Sequence, residues 1–109
     1  MDLLTSVFKI HNSKLYFSKV ELGKILTCYS HGVSKGNWRD YAIYFGKQET
    51  SFYMLNHSLA SPDCILTKYQ KFKKNVILYK LEFHNKKKYK FTKIDDLIAQ
   101  LMRREFKII

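Results

Sequence analysis

Apolar residues recur along the chain with two periods, and the changes of period divide it into elements. Between Ser18 and Gly36 the spacing is helical, with Leu22, Ile25, Leu26, Tyr29 and Val33 on one face. Ser18 followed three residues later by Glu21 forms a capping box, in which each side chain satisfies a backbone N–H left free at a helix start. Phe17, just before the cap, is placed to staple onto the following turn, and Gly32 and Gly36 supply a stop. The pattern predicts a helix from about residue 19 to 33. A second stripe, Ile94, Leu97, Ile98, Leu101 and Met102, follows Thr92, the expected cap, with Asp95 as its partner acid. Asp95 and Asp96 at the amino end and Arg103, Arg104 and Lys107 at the carboxyl end suit the helix dipole, which accounts for them without a catalytic role.

Between the helices the period falls to two. Strands are predicted over 40–45, 51–55, 64–72, 76–84 and 88–91, with a vaguer one over 3–10. Ile77, Tyr79, Leu81 and Phe83 alternate onto one face. A three-residue loop, Asn85-Lys86-Lys87, pairs Phe83 with Tyr89 and Leu81 with Phe91 and sets Glu82 beside Lys90. The same reasoning makes Lys73-Lys74-Asn75 the preceding loop, aligning Tyr69 with Tyr79, Thr67 with Leu81 and Ile65 with Phe83, with Asn75 in a left-handed conformation. The fold expected is α+β: an antiparallel sheet of about five strands in a meander, with two amphipathic helices packed on one face. With 109 residues, the chain is expected to form a single domain over 1–109.

Composition supports a packed core, since apolar residues make up 46% of the chain and include eight Phe and eight Tyr. Charge changes the picture more. The chain holds 20 Lys and Arg against 9 Asp and Glu, a formal net charge of +11. Such an excess points to a polyanionic partner, nucleic acid before anionic membrane. A compositional reading competes: only Arg39, Arg103 and Arg104 are arginine, and lysine accumulates with Ile, Asn, Tyr and Phe under A+T-rich coding. Phosphate recognition that needs a bidentate fork favours arginine. Cys28 and Cys64 form neither a disulfide framework nor a close-spaced metal pair, and no apolar run has the length of a signal peptide core or a membrane span. A cytoplasmic protein is expected.

Candidate chemistry is sparse. His11, His31, His57 and His84 lack ligand spacing, and Cys28-x-x-His31 alone is read as a buried thiol and an exposed imidazole rather than a metal site. Neither a phosphate-binding loop nor a nucleophile elbow occurs, so neither catalytic residues nor a cofactor is expected. Lysines gather instead at two hairpin tips, Lys71, Lys73 and Lys74 at one and Lys86, Lys87, Lys88 and Lys90 at the other. Successive tips lie at opposite ends of a meander, so they act separately unless Lys68, Lys80 and Lys90 join them across the outer face. Tyr44 and Tyr53 are candidates for that face. The segment Gly36–Tyr41 carries the sole Trp, and Trp38 and Arg39 suit an interface, with His57 in the longest loop beside them. The opposing reading has Trp38 plugging the core.

The strings Phe17–Leu26 and Gly36-Asn37-Trp38-Arg39-Asp40-Tyr41-Ala42-Ile43-Tyr44-Phe45, then Phe52, 57–62 and the closing helix, resemble a small alphaproteobacterial domain family of unknown function with a G-x-W-R-D-Y-A-I-x-F signature. The resemblance implies a compact bacterial domain and carries over no activity, cofactor or partner. Tyr44 stands where that family tends to show an acid, and Asn56-His57 where it tends to show paired arginines, so an anion site resting on that arginine pair does not transfer. Two functions follow from the residues: a non-enzymatic module gripping RNA or DNA backbone through lysine-rich tips, or a protein adaptor using the Trp38–Arg39 junction and the 57–63 loop.

Overall fold

A computed structural model describes residues 14–57, 60–71 and 75–106, the side chain of Phe106 excepted. The strand expected over 3–10, together with Lys73, Lys74 and Lys107, lies outside the described residues. The chain runs α1 (Lys19–Ser34), β1 (Asp40–Phe45), β2 (Glu49–Leu55), β3 (Cys64–Lys71), β4 (Val76–Phe83), β5 (Lys88–Phe91) and α2 (Ile94–Phe106). The five strands pair antiparallel in chain order, which is the meander expected of an α+β fold with two helices.

The capping box at α1 forms as expected: Ser18 Oγ accepts from the Glu21 N–H at 3.1 Å, and Glu21 Oε1 accepts from the Ser18 N–H at 2.7 Å. Gly36 turns the chain at φ 80°, whereas Gly32 remains helical and has a different task. A Cβ on Gly32 would stand 1.9 Å from the Trp38 ring, so the missing side chain lets the indole lie against the helix backbone. Trp38 is 1% exposed and its Nε1 donates to Asp63 Oδ2 at 2.8 Å, so it plugs the core and is not available as a surface anchor. At α2 the helix begins at Ile94, one residue beyond the start that a Thr92 cap implies. The Asp95 carboxylate turns to α1, where Lys24 meets it at 2.5 Å.

Both helices cover one face of the sheet. On that inner face the cross-strand rows are Tyr41–Met54–Cys64–Phe83, then Ile43–Phe52–Leu66–Leu81–Tyr89, then Phe45–Thr50–Lys68–Tyr79–Phe91. Ile25 and Cys28 of α1 and Leu97 and Leu101 of α2 close over these rows, and all four are buried. Arg104 of α2 lays its guanidinium 3.9 Å from the Phe83 ring centre.

Two registers differ from those expected. Between β4 and β5, Leu81 pairs with Tyr89 and Glu82 with Lys88, a shift of two residues that keeps every side chain on its expected face. The loop is still three residues long but comprises His84-Asn85-Lys86, with Lys86 in the left-handed position at φ 69° and Lys86 N–H donating to Phe83 O at 2.8 Å. Between β3 and β4 the shift is one residue: Leu66 pairs with Leu81 and Lys68 with Tyr79. Asn75 is left-handed at φ 49° as expected, but the odd register turns Ile65, Thr67 and Tyr69 outward and Leu66 and Lys68 inward. Cys64 and Leu66 are both fully buried, and a buried partner for Lys68 makes this parity tenable. No helix among the described residues is long and apolar enough to cross a membrane.

Candidate functional site

The one-residue shift sorts the sheet's polar groups into two sets. Lys68 projects inward, where its Nζ reaches Glu21 Oε1 at 2.8 Å and the Tyr16 carbonyl at 2.9 Å. Tyr79 donates its hydroxyl to the other Glu21 oxygen, Oε2. Burial pushes the Glu21 carboxyl up, but hydrogen bonds from Lys68, Tyr79 and the Ser18 N–H outweigh it and hold the carboxyl below its ordinary range. Burial and the bond to Glu21 hold the Tyr79 phenol well above its own. Every polar group in this cluster has a partner, and it ties the start of α1 to the middle of the sheet. Its role is architectural.

The outer face is different. Its rows read Ala42–Tyr53–Ile65–Glu82–Lys88, then Tyr44–Ser51–Thr67–Lys80–Lys90, with Tyr69 beside Leu78 and Lys71 beside Val76 beyond them. Among the described residues no helix packs on this face. Ser51 and Thr67, between Tyr44 and Lys80 in the second row, share a hydrogen bond of 2.9 Å and are buried, forming the floor of that row. Tyr44 beside them is 52% exposed, and Tyr53 and Tyr69 are half-buried. A Cβ on Gly46 would come within 3.0 Å of the Tyr44 ring, so glycine leaves a bed for that ring at the turn.

Cations line the other half of the face. Lys80 and Lys90 are direct cross-strand partners, a like-charge juxtaposition that lowers sheet stability. Lys80 Nζ lies 5.6 Å from the Tyr69 ring centre. Lys88 faces Glu82 across a long contact of 3.5 Å and keeps 68% of its side chain exposed. Two shallow clefts flank the lysine pair: one of about 160 Å³ bordered by Tyr69, Lys71, Leu78 and Lys90, and one of about 630 Å³ bordered by Ser61, Ile65, Glu82, Lys86 and Lys88.

Of the lysines singled out in the sequence, Lys86, Lys88 and Lys90 are exposed on or beside this face, Lys87 is exposed but stands opposite Phe83 of the inner face, and Lys73 and Lys74 are outside the described residues. Lys68 is removed from the bridging role expected of it, because it is consumed by Glu21. Lys80 and Lys90 remain as the bridge across the face. Tyr69 escaped the sequence reading, which placed it inward. The three-residue loop expected over 73–75 sets Tyr69 opposite Tyr79, and the observed register, one residue away, brings Lys68 inward to the Glu21 carboxylate instead. Arg39 and His57 are exposed and border a cleft of about 540 Å³ with Asp40, Tyr41 and Asn56, while Trp38 is withdrawn from it.

The thiols lie in the core. Burial, with the charge of Glu105, pushes Cys28 up to about 12, and burial raises Cys64 as well, so both stay as unreactive thiols. Cys28 Sγ donates to Met102 Sδ at 3.5 Å. Among the described residues no group of three His, Cys, Asp or Glu side chains is placed to hold a metal ion.

A family model described as "Protein of unknown function (DUF2794)" matches residues 15–93, a span from the segment before α1 to the start of α2. No curated protein and no solved structure matches the chain.

Proposed function

We propose, from the premise that the chain belongs to this DUF2794 family of unknown function, that it is a small non-enzymatic module binding the phosphate backbone of nucleic acid across the outer face of its sheet. The observation that supports this reading is the Lys80–Lys90 pair. Two lysines are direct cross-strand partners on a face that no described helix covers, at a cost to the fold that a bound polyanion offsets. Lys88 and the turn lysine Lys86 extend the pair towards one tip, and Lys71 extends it towards the other. Lysine contacts to phosphate position a protein without reading bases, so binding is largely independent of sequence.

The competing reading, a protein adaptor at the Trp38–Arg39 junction, is left with Arg39 and His57 as exposed groups, since the indole is in the core. Labelled RNA and DNA titrated at several salt concentrations test the proposal. Micromolar affinity that falls steeply with salt is expected, and in Lys80→Gln/Lys90→Gln the slope of log K against log salt is expected to drop by about 1.4 to 1.8 (about 0.7 to 0.9 per lost phosphate contact). No retention of either nucleic acid at low salt, or a double variant indistinguishable from the parent, rejects it.

A further inference from the structure

The same face carries a second kind of group that a phosphate backbone alone does not use. We infer that its ligand is single-stranded nucleic acid, with unpaired bases stacking on Tyr44 and Tyr53 while the phosphates lie along Lys80, Lys90 and Lys88. This inference rests on the backbone-binding reading above and names the class of nucleic acid.

Three observations carry it. Tyr44 and Tyr53 are diagonal neighbours on β1 and β2, since Tyr44 faces Ser51 and Ala42 faces Tyr53, which places their Cα atoms about 7–8 Å apart on one face. Neither ring is needed by the core, which the helices close from the opposite side, and Tyr44 is 52% exposed. A duplex keeps its bases stacked internally and presents phosphates to a protein face, so rings beside the cations gain nothing from it. An unpaired strand offers a π-face at every nucleotide.

The second observation is the order of groups along one row: Tyr44, then the Ser51–Thr67 floor, then Lys80 and Lys90. Rings stand on one side, cations on the other, and two small hydroxyl residues lie sunk between them. A single strand has the matching cross-section, with bases to one side and phosphates to the other, and its sugars fall over the low centre.

Charge supplies the third. Lys80, Lys88 and Lys90 gather on the β4–β5 half of the face, where Glu82 meets Lys88 at 3.5 Å, and a polyanion laid along them neutralises all three. Lys80, now over the Tyr69 ring, needs only a side-chain rotation to meet a phosphate, and its departure opens that ring as a third stacking surface.

Fluorescence anisotropy with a short labelled oligouridylate and an RNA duplex of equal length tests the inference, using the full chain. The single strand is expected to bind more tightly. Tyr44→Ala and Tyr53→Ala are each expected to weaken it by roughly tenfold, with the salt slope unchanged because no phosphate contact is lost. Tyr44→Leu and Tyr53→Leu, which keep apolar bulk on the sheet, are expected to show the same loss, so poor folding of the alanine variants does not blur the result. Equal binding of both nucleic acids, with the tyrosine variants neutral, rejects the single-strand inference and leaves the backbone reading standing. Binding of neither, or retention only on anionic vesicles or an acidic peptide, rejects both.

Discussion

Lys68 on β3 and Lys80 on β4 sit one register step apart, on opposite faces of the same sheet. The inner one has a carboxylate at 2.8 Å, a carbonyl at 2.9 Å and a side chain only 12% exposed. The outer one has a tyrosine ring beneath it and another lysine opposite. The inner face places its charge where each polar group is answered by another, which fixes α1 to the sheet. The outer face gathers cations on β4 and β5, where among the described residues Glu82 meets Lys88 at 3.5 Å, while Asp40 and Glu49 of the same face lie on β1 and β2. A lysine-rich sequence therefore contains two populations of lysine, and the side of the sheet separates them.

The sharpest way to break this comparison is to exchange neighbours of opposite parity on β3. Leu66 is fully buried against Phe52 and Leu81, whereas Ile65 next to it lies outward between Tyr53 and Glu82. Leu66→Ala is expected to cost about 2–5 kcal/mol in urea unfolding, through lost burial and the cavity left behind. Ile65→Ala is expected to cost less than about 1.5 kcal/mol, because it opens no closed cavity. Equal losses at the two positions contradict the register that defines both faces.

The lysines themselves give the next largest effect. Lys68→Met leaves the Glu21 carboxylate at the edge of the core with only the Tyr79 hydroxyl and the Ser18 N–H as donors. A fully buried pair loses about 3–5 kcal/mol when one member is removed, and with those two donors retained the expectation here is about 2 kcal/mol. Lys80→Met lies on the outer face opposite Lys90 and is expected to change stability by less than about 0.5 kcal/mol, or to raise it by relieving repulsion. Thermal melts of the two variants side by side check this. A destabilised Lys80→Met places structural weight on the outer face and weakens its reading as a binding surface.

That contrast also explains which parts of the molecule are legible in the sequence. The capping box at Ser18 and Glu21, the meander and the two apolar helical stripes depend on local spacing, and they stand where the pattern puts them except for Val33, which ends the first stripe exposed. The face of β3 depends on a contact between Glu21 and Lys68, 47 residues apart, and local alternation carries no trace of it. A loop length chosen without that contact turns Tyr69 inward in the expected register, hiding one of the three tyrosines on the outer face among the described residues. Trp38 looked like an anchor or a plug from sequence; Gly32, read only as a helix stop, was the residue whose missing Cβ decides for the plug. The lysine bridge was half legible, since Lys80 and Lys90 occupy it and Lys68 does not.

The smallest of the expected effects is in acid. The Glu21 carboxyl is held below its ordinary value of 4.5 in the folded protein, because donors from Lys68, Tyr79 and Ser18 outweigh the upward push of burial. Below about pH 4.5 the unfolded chain then binds more protons at this position than the folded one. The stabilisation is present above that pH and is lost as pH falls through the lower folded value. Lys68→Met removes the donor responsible for much of the lowering, so the gap in urea midpoint between parent and variant is expected to be widest near neutrality. It should close as Glu21 becomes protonated in both. Lys80→Met, which touches neither Glu21 nor its partners, is expected to follow the parent through the same acid limb. A parent–Lys68→Met gap that stays constant on acidification removes the buried ion pair as the cause of the inward turn of Lys68. The outer face would then need another reason for its parity.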